Sequence, residues 1–297
     1  MNDIFKTLGL LTNNQEGKMN RRIKNLFLFV FIIFCLLLTS SCINQKSGKI
    51  ESADNKETNK ITLENEASLM AVLWCQASAE YRALAYQAYN IARLRLDEEL
   101  QINRNQKRAV IVDIDETVLG NSRYNAKEIT DKQVYPDDFY KWIDMAKAEA
   151  IPGAKEFLDY AVSKSCDVFY ISNRRIRCLD GTLRNLKKLG FPQADKNHVL
   201  LKGDVSSKEG RRQEVAKTHY IVLLIGDNLI DFSEVFDIKS VEERLASVEK
   251  YKDNFGKKFI VLPNPMHGAW FKALYDYDRN LSKEERTQRI IRYLKSY

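Results

Sequence analysis

Two aspartates spaced i and i+2, Asp113 and Asp115, close the apolar run AVIVDID and are followed at once by Glu116 and Thr117. Carboxylates this close can share one site, one as nucleophile and the other as acid/base, provided a divalent cation offsets their repulsion. In isolation DxD is also a common surface-turn pattern. Further on, Ser172-Asn173-Arg174 ends a second apolar run. It offers a hydroxyl and a loop amide to a phosphate oxygen, and its plainer role is a turn or helix cap. Ser206-Ser207-Lys208 adds an ammonium able to neutralise a phosphoryl group, although a single lysine is ordinarily just solvated. The run Gly226-Asp227-Asn228-Leu229-Ile230-Asp231 contributes two further carboxylates, and oxygen ligands of this kind suit magnesium.

Side chains so far apart in sequence need a scaffold that gathers them. Short apolar runs rich in β-branched residues recur at 109–115 (AVIVDID), 167–172 (DVFYIS), 198–202 (HVLLK), 220–227 (YIVLLIGD) and 258–263 (KFIVLP), with helical stretches between them. Continuous apolar strands alternating with helices predict a parallel sheet covered on both faces, an α/β three-layer sandwich of Rossmann-like type. In such sheets ligands bind outside the carboxyl ends of the strands, and four of the five predicted strands end in or run into the polar motifs above. Upstream, Leu69, Val72, Leu73, Tyr81, Leu84, Ala85, Ala88, Ile91, Ala92 and Leu96 recur mostly at intervals of three and four. That periodicity predicts one long or two shorter amphipathic helices over residues 62–100.

Composition narrows the function classes. The chain has 297 residues, 44% of them apolar and 29% charged, with 12 Gly and 5 Pro, which is an ordinary globular composition. Its net charge of +7 includes a leader with five basic and two acidic residues, so the remainder is too weakly basic to argue for a nucleic-acid polymer as partner. The five cysteines form no CxxC pair and no His stands near them at zinc-finger spacing. A Cys166–Cys178 disulfide is conceivable in an oxidising compartment, with buried thiols as the favoured alternative.

Taken in series, DxDET, SNR, the Lys208 motif and GDNxxD resemble the four motifs of the haloacid dehalogenase superfamily of phosphohydrolases. The segments LMAVLWCQASAEYRALAYQAYNIA, VDIDETVLGNS, IPGAKEFLDY, YISNR, SSK, GDNLIDF and LPNPMHGAW narrow the resemblance to the bacterial class C acid phosphatases, secreted lipoproteins that act as 5'-nucleotidases. The resemblance implies that Asp113 attacks phosphorus and forms an aspartyl-phosphate, and that Asp115 protonates the leaving group and then activates water. It implies that Ser172, Asn173 and Lys208 hold phosphoryl oxygens. Mg2+ would lie on Asp113, the Asp115 carbonyl and Asp227, with Asp231 in the inner or next layer. Tyr135, Trp142 and His267 match positions where the family lines its substrate pocket, with helix-face packing as the alternative for the first two. His267 stands where relatives commonly carry Tyr, and a neutral imidazole there can still stack on a base. The implied substrates are small phosphomonoesters, nucleoside 5'-monophosphates among them. A non-catalytic ligand-binding lipoprotein on the same fold is a competing reading, against which both aspartates stand. Phosphotransfer to an acceptor other than water shares every one of these residues.

The N-terminal leader points to a compartment. Residues 26–38 read LFLFVFIIFCLLL, preceded by Arg21, Arg22 and Lys24 and followed by Thr39, Ser40 and Ser41. Thirteen apolar residues are too few for a spanning helix and suit a signal peptide. The LTSSC ending at Cys42 resembles a bacterial lipobox, with its Leu four residues before the Cys instead of three. Plain cleavage without acylation is the alternative. The expected organisation is a signal peptide over 1–41, within which Met19 offers a later start. A lipidated Cys42 with a polar tether follows over 42–61, then a phosphatase domain over 62–297, whose residues 62–102 and parts of 119–150 form a smaller helical part. The expected location is a bacterial membrane, the outer one first, reached through the lipid anchor; a homodimer is left open.

Overall fold

The computed structural model describes residues 63–131, 136–237 and 240–297, with side chains described from residue 68 onward. The expected signal peptide, Cys42, the expected tether and Tyr135 lie outside the described residues.

The amphipathic stretch forms two helices, α1 (Leu63–Ala77) and α2 (Ala79–Leu100). Ser78 separates them because it caps the second: its extended backbone lets Oγ accept the Tyr81 N–H at 3.0 Å. Helix α2 buries Tyr81, Ala85, Ala88, Tyr89, Ala92 and Leu96, one stripe at helical spacing.

Five strands form one parallel sheet: β1 (Lys107–Val112), β4 (Cys166–Arg175), β5 (Val199–Lys202), β6 (His219–Gly226) and β7 (Phe259–Val261), in the order β5-β4-β1-β6-β7. Residues alternate between the two faces with the period of two that a pleated strand imposes. Val110 and Val112 of β1, Val168 and Tyr170 of β4, and Leu223 and Ile225 of β6 join a core that includes the buried face of α2, α5 (Ala154–Ser163) and α6 (Leu179–Lys188). Ala109, Ile111, Ile171 and Leu224 face the other way, onto Val215 of α7 (Glu209–Ala216), Phe232 and Phe236. Burial on both faces is why these strands read as unbroken apolar runs.

The remaining elements sit around this sandwich. A two-stranded antiparallel pair, β2 (Leu119–Gly120) and β3 (Glu149–Ala150), brackets an insert of α3 (Ser122–Asp131) and α4 (Asp137–Met145). Helix α8 (Val241–Lys250) precedes β7, and α9 (Ala269–Ala273) and α10 (Lys283–Ile291) follow it. No described helix is long and apolar enough to cross a membrane.

The strand order reverses at β1: the chain moves outward through β4 and β5 on one side and through β6 and β7 on the other. Such a switch point opens a crevice at the carboxyl ends of the strands. Cys166 begins β4 and Cys178 follows its far end, and both are buried free thiols. Ten extended residues at about 3.3 Å each hold these sulfurs far beyond disulfide reach, so the buried-thiol alternative stands.

Candidate active site

Asp113 is the first residue past β1 and lies at the switch point, its N–H donating to the Ile225 carbonyl of β6 at 2.9 Å. Beyond it the chain turns sharply. The amides of Val118 and Leu119 donate to the Ile114 carbonyl at 3.0 and 2.9 Å, and Glu116 occupies the left-handed region at φ 57°. The Tyr89 hydroxyl of α2 donates to the Thr117 carbonyl at 2.7 Å and ties this loop to the core.

Strand β6 ends at Gly226, followed by Asp227. A Cβ on Gly226 would come within 2.5 Å of the Asp231 Cβ, so only glycine lets the Asp231 side chain fold back over the strand end. There Asp231 closes a capping box, its Oδ2 accepting the Asn228 N–H at 2.9 Å. Phe232, one residue on, stacks on Phe259 of β7 with 5.2 Å between ring centroids and anchors the turn. The result is that Asp113, Asp227 and Asp231 each present an oxygen within 4.8 Å of the others.

Lys208 enters this cluster from the loop before α7, 4% exposed, with Nζ donating to Asp113 and lying 2.6 Å from Asp231 Oδ1. One ammonium faces three carboxylates. Burial pushes the Asp113 carboxyl well above the usual range; Lys208 pulls it down, and Asp231, Asp227 and Asp115 push it up again. Burial first, and then Asp231, raise Asp227 to about 7. Asp227 is oriented by Asn264, whose Nδ2 donates to Oδ2 at 2.8 Å, and by a 3.4 Å contact from Thr117 Oγ1.

Asp115 is held differently. Arg174, buried within β4, donates through Nε at 3.0 Å and Nη2 at 2.7 Å, and Asn121 Nδ2 donates at 2.8 Å. Burial works against the Asp115 charge, but these partners outweigh it and hold the carboxyl below its usual range. Ser172 Oγ lies 3.5 Å from Asp115 Oδ2 and accepts the Arg174 N–H at 3.2 Å. Asn173 Oδ1 accepts from Arg211 Nη2 at 2.7 Å. Of the expected residues, Asp113, Lys208, Asp227 and Asp231 thus form one cluster and Asp115 with Ser172 a second beside it, close enough for the Asp115 charge to act on Asp113, with Asn173 next to Ser172 on β4.

Trp142, half-buried on α4, donates Nε1 to Asn121 Oδ1 at 2.8 Å while its ring packs on the core. His267 Nε2 lies 3.1 Å from Glu116 Oε2, and Glu116 also accepts the Asn121 N–H at 2.7 Å. Trp142 and His267 therefore converge on one loop. The charge state of His267, on which its stacking depends, follows from these neighbours. Burial lowers its pKa, but the charge and hydrogen bond of Glu116, with Asp227 and Asp115 behind it, outweigh burial and raise it to about 9. His267 is a cation at neutral pH, partly screened because its side chain is 44% exposed. The sequence assigned no role to Arg174, Glu116, Asn121 or Arg211, although the first three stand inside the motif segments, and it placed Asn264 only in the turn 264–270 that lines the family's substrate pocket. His198 and His219 pair with Asp195 and Asp167, the latter pair at the opposite end of the sheet.

Comparison with known proteins gives the family. A family model described as HAD superfamily, subfamily IIIB (Acid phosphatase) matches residues 37–270. The class C acid phosphatase from Bacillus anthracis is 46% identical with a TM-score of 0.76, the match covering 79% of this chain and 99% of that one. A second structure of that protein, with tungstate bound, is 45% identical with a TM-score of 0.75 over the same shares. The chain belongs to the acid phosphatases of haloacid dehalogenase subfamily IIIB and is a phosphomonoester hydrolase.

Proposed function

We propose that this chain hydrolyses phosphomonoesters, nucleoside 5'-monophosphates among them, through a phosphorylated Asp113 with the help of Mg2+. The observation that carries the proposal is the buried cluster in which Asp113, Asp227 and Asp231 meet around Lys208. The donor set fits the metal: three hard carboxylate oxygens face a single ammonium, and burial first, then the neighbouring carboxylates, raise the pKa values of Asp113 and Asp227. Asp113, Asp227 and the Asp115 carbonyl would hold the ion, with Asp231 beside it. When bound, Mg2+ supplies positive charge to the phosphoryl oxygens and to the carboxylates around them.

The protein's own groups do the rest. Lys208 and Ser172 hold phosphoryl oxygens so that a carboxylate oxygen of Asp113 lies in line with the leaving group. As the Asp113 O–P bond forms and the ester P–O bond breaks, Asp115 gives its proton to the departing oxygen. In the second half, Asp115 takes a proton from water, water attacks phosphorus, and the Asp113 O–P bond breaks to release phosphate. Asp115 ends protonated, as it began. Burial works against the Asp115 charge but Arg174 outweighs it and holds the carboxyl below its usual range, so the protonated form the cycle starts from becomes more populated as pH falls, in keeping with an acid phosphatase. Trp142 and His267 flank the loop on which a base would rest; the tungstate in the Bacillus anthracis structure is a tetrahedral oxyanion of phosphate's shape.

We place this domain behind a cleaved leader, with Cys42 as the lipid-bearing N-terminus and residues 43–61 as tether, in a bacterial envelope. Phosphate release from a panel of nucleoside monophosphates and an aryl phosphate, with and without Mg2+, tests the proposal. Activity on both substrate types that disappears with chelator supports it. Full activity in excess chelator contradicts the metal assignment, and aryl phosphatase activity without nucleotide turnover contradicts the substrate assignment.

A further inference from the structure

Beside the reacting cluster the sheet edge carries cationic side chains the reaction does not use. Arg175 ends β4 and stands in register with Lys202, the last residue of β5. Arg211 of α7 reaches between the two strands, its guanidinium donating to the main-chain carbonyls of Ser172 and Leu200 and to Asn173 Oδ1. The chain that leaves β7 crosses the same edge: it touches Asp227 through Asn264 and Glu116 through His267. It then brings Lys272 and Arg279 within electrostatic range of Lys202.

Five positive charges gather here, and of the five only Arg211 feels the Asp113 and Asp231 carboxylates. Among the described residues Arg175, Lys202, Lys272 and Arg279 form no salt bridge, and exposed Asp204, two residues past Lys202, pairs with none of them. Some exposed cations elsewhere are matched one to one, as in Arg123–Glu149, Lys127–Asp131 and Lys155–Asp159, and others stand apart; at this rim the unmatched ones stand together. Burial lowers the Lys202 pKa, and the charges of Arg175, Arg211, Arg279 and Lys272 lower it further. Like charges held together are a standing cost unless an anion joins them. Arg211 links this rim directly to Ser172 and Asn173 near the end of β4, where the reacting phosphoryl group is placed.

We propose that the rim formed by Arg175, Lys202, Lys272 and Arg279 is a subsite for a second phosphoryl group on the same small substrate, so that phosphomonoesters carrying two phosphates are preferred to those carrying one. This rests on the placement of the reacting phosphoryl at Asp113, Ser172 and Lys208. The test is steady-state kinetics of the full chain with Mg2+ on two pairs: adenosine 5'-monophosphate against adenosine 3',5'-bisphosphate, and fructose 6-phosphate against fructose 1,6-bisphosphate, with an aryl phosphate as reference. The bisphosphates are expected to show kcat/KM at least tenfold higher, mainly through KM, with an advantage that shrinks as salt rises. A Lys202→Ala, Lys272→Ala double variant should remove that advantage and leave the monophosphates and the aryl phosphate within twofold. Arg175→Gln, at an exposed strand end, reads the same contrast if the double variant does not fold. Equal kcat/KM for each pair in the unaltered enzyme, or an equal loss on both classes in the variants, overturns the inference. Capture of anionic phospholipid vesicles through Lys202 and Lys272, with no bisphosphate preference, overturns it as well and assigns the rim to a membrane surface. Inactivity on every substrate, aryl phosphate included, contradicts the underlying reading of the site instead.

Discussion

Replacing Lys208 with Met removes the one ammonium in the cluster while keeping most of its volume. Lys208 is 4% exposed between Asp113 and Asp231, so the variant leaves two buried carboxylates without their counter-charge. Breaking a buried ion pair costs about 3–5 kcal/mol. The lower figure, about 3 kcal/mol, applies because a carboxylate can escape by taking up a proton. In a domain of this size each kcal/mol moves the melting temperature by about 2–4 °C, so the metal-free variant should melt about 6–12 °C below the parent at pH 7.5. The sign of the pH dependence follows from Asp113. Its folded pKa is already raised by burial, and losing Lys208 raises it further above the unfolded value. An acid whose pKa is higher in the folded state costs stability as pH rises past its unfolded pKa, and none well below it. The deficit should therefore be largest near pH 8 and shrink towards pH 4.5. Thermal melts in chelator across that range measure it directly. A deficit under about 2 °C at pH 7.5, or one that does not change with pH, would refute the claim that Lys208 balances buried charge.

Three further outcomes follow from particular contacts. Asp115→Asn should lose turnover most on alkyl phosphates, because the leaving oxygen goes unprotonated, and less on aryl phosphates, whose phenolate departs unaided; an equal loss on both refutes its acid role. Trp142→Ala should lower kcat/KM for nucleoside monophosphates about tenfold, as loss of one stacked base at about 1–3 kcal/mol implies, and spare a small alkyl phosphate. A uniform loss would mean that the Nε1 bond to Asn121 only supports the loop. Cys42→Ser should release soluble, active enzyme, and its retention on salt-washed membranes would show that acylation of Cys42 is not the anchor.

The sheet was legible because its strands are buried on both faces, which leaves unbroken apolar runs such as VIV in β1 and LLI in β6. The positions of Asp113, Asp227 and Asp231 were legible for the same reason: they stand just past strand ends that any parallel sheet brings to one edge. Partners from distant elements were not. Arg174 reads as one more turn residue until β4 is seen to carry it under Asp115, 59 positions earlier in the chain. His267 meets Glu116 only because the segment after β7 returns across the site, and that contact raises its pKa to about 9 against the effect of burial. Cys166 and Cys178 looked close as a sequence pair, yet an extended strand separates them. Helices announce periodicity, whereas a polar contact between loops leaves no pattern along the chain.

The central claim is that Asp113 forms a covalent bond to phosphorus, and Asp113→Asn tests it most directly. The amide keeps the side chain's shape but is a far poorer nucleophile. The account predicts a fall in turnover of more than about a thousandfold, about 4 kcal/mol in the barrier, with the fold intact by thermal melt. It also predicts that acid-quenched parent enzyme carries a phosphoryl group on the Asp113 peptide by mass spectrometry, absent from the variant. A variant that keeps more than about a thousandth of parent activity, or a quenched parent enzyme without that label under turnover, would contradict it.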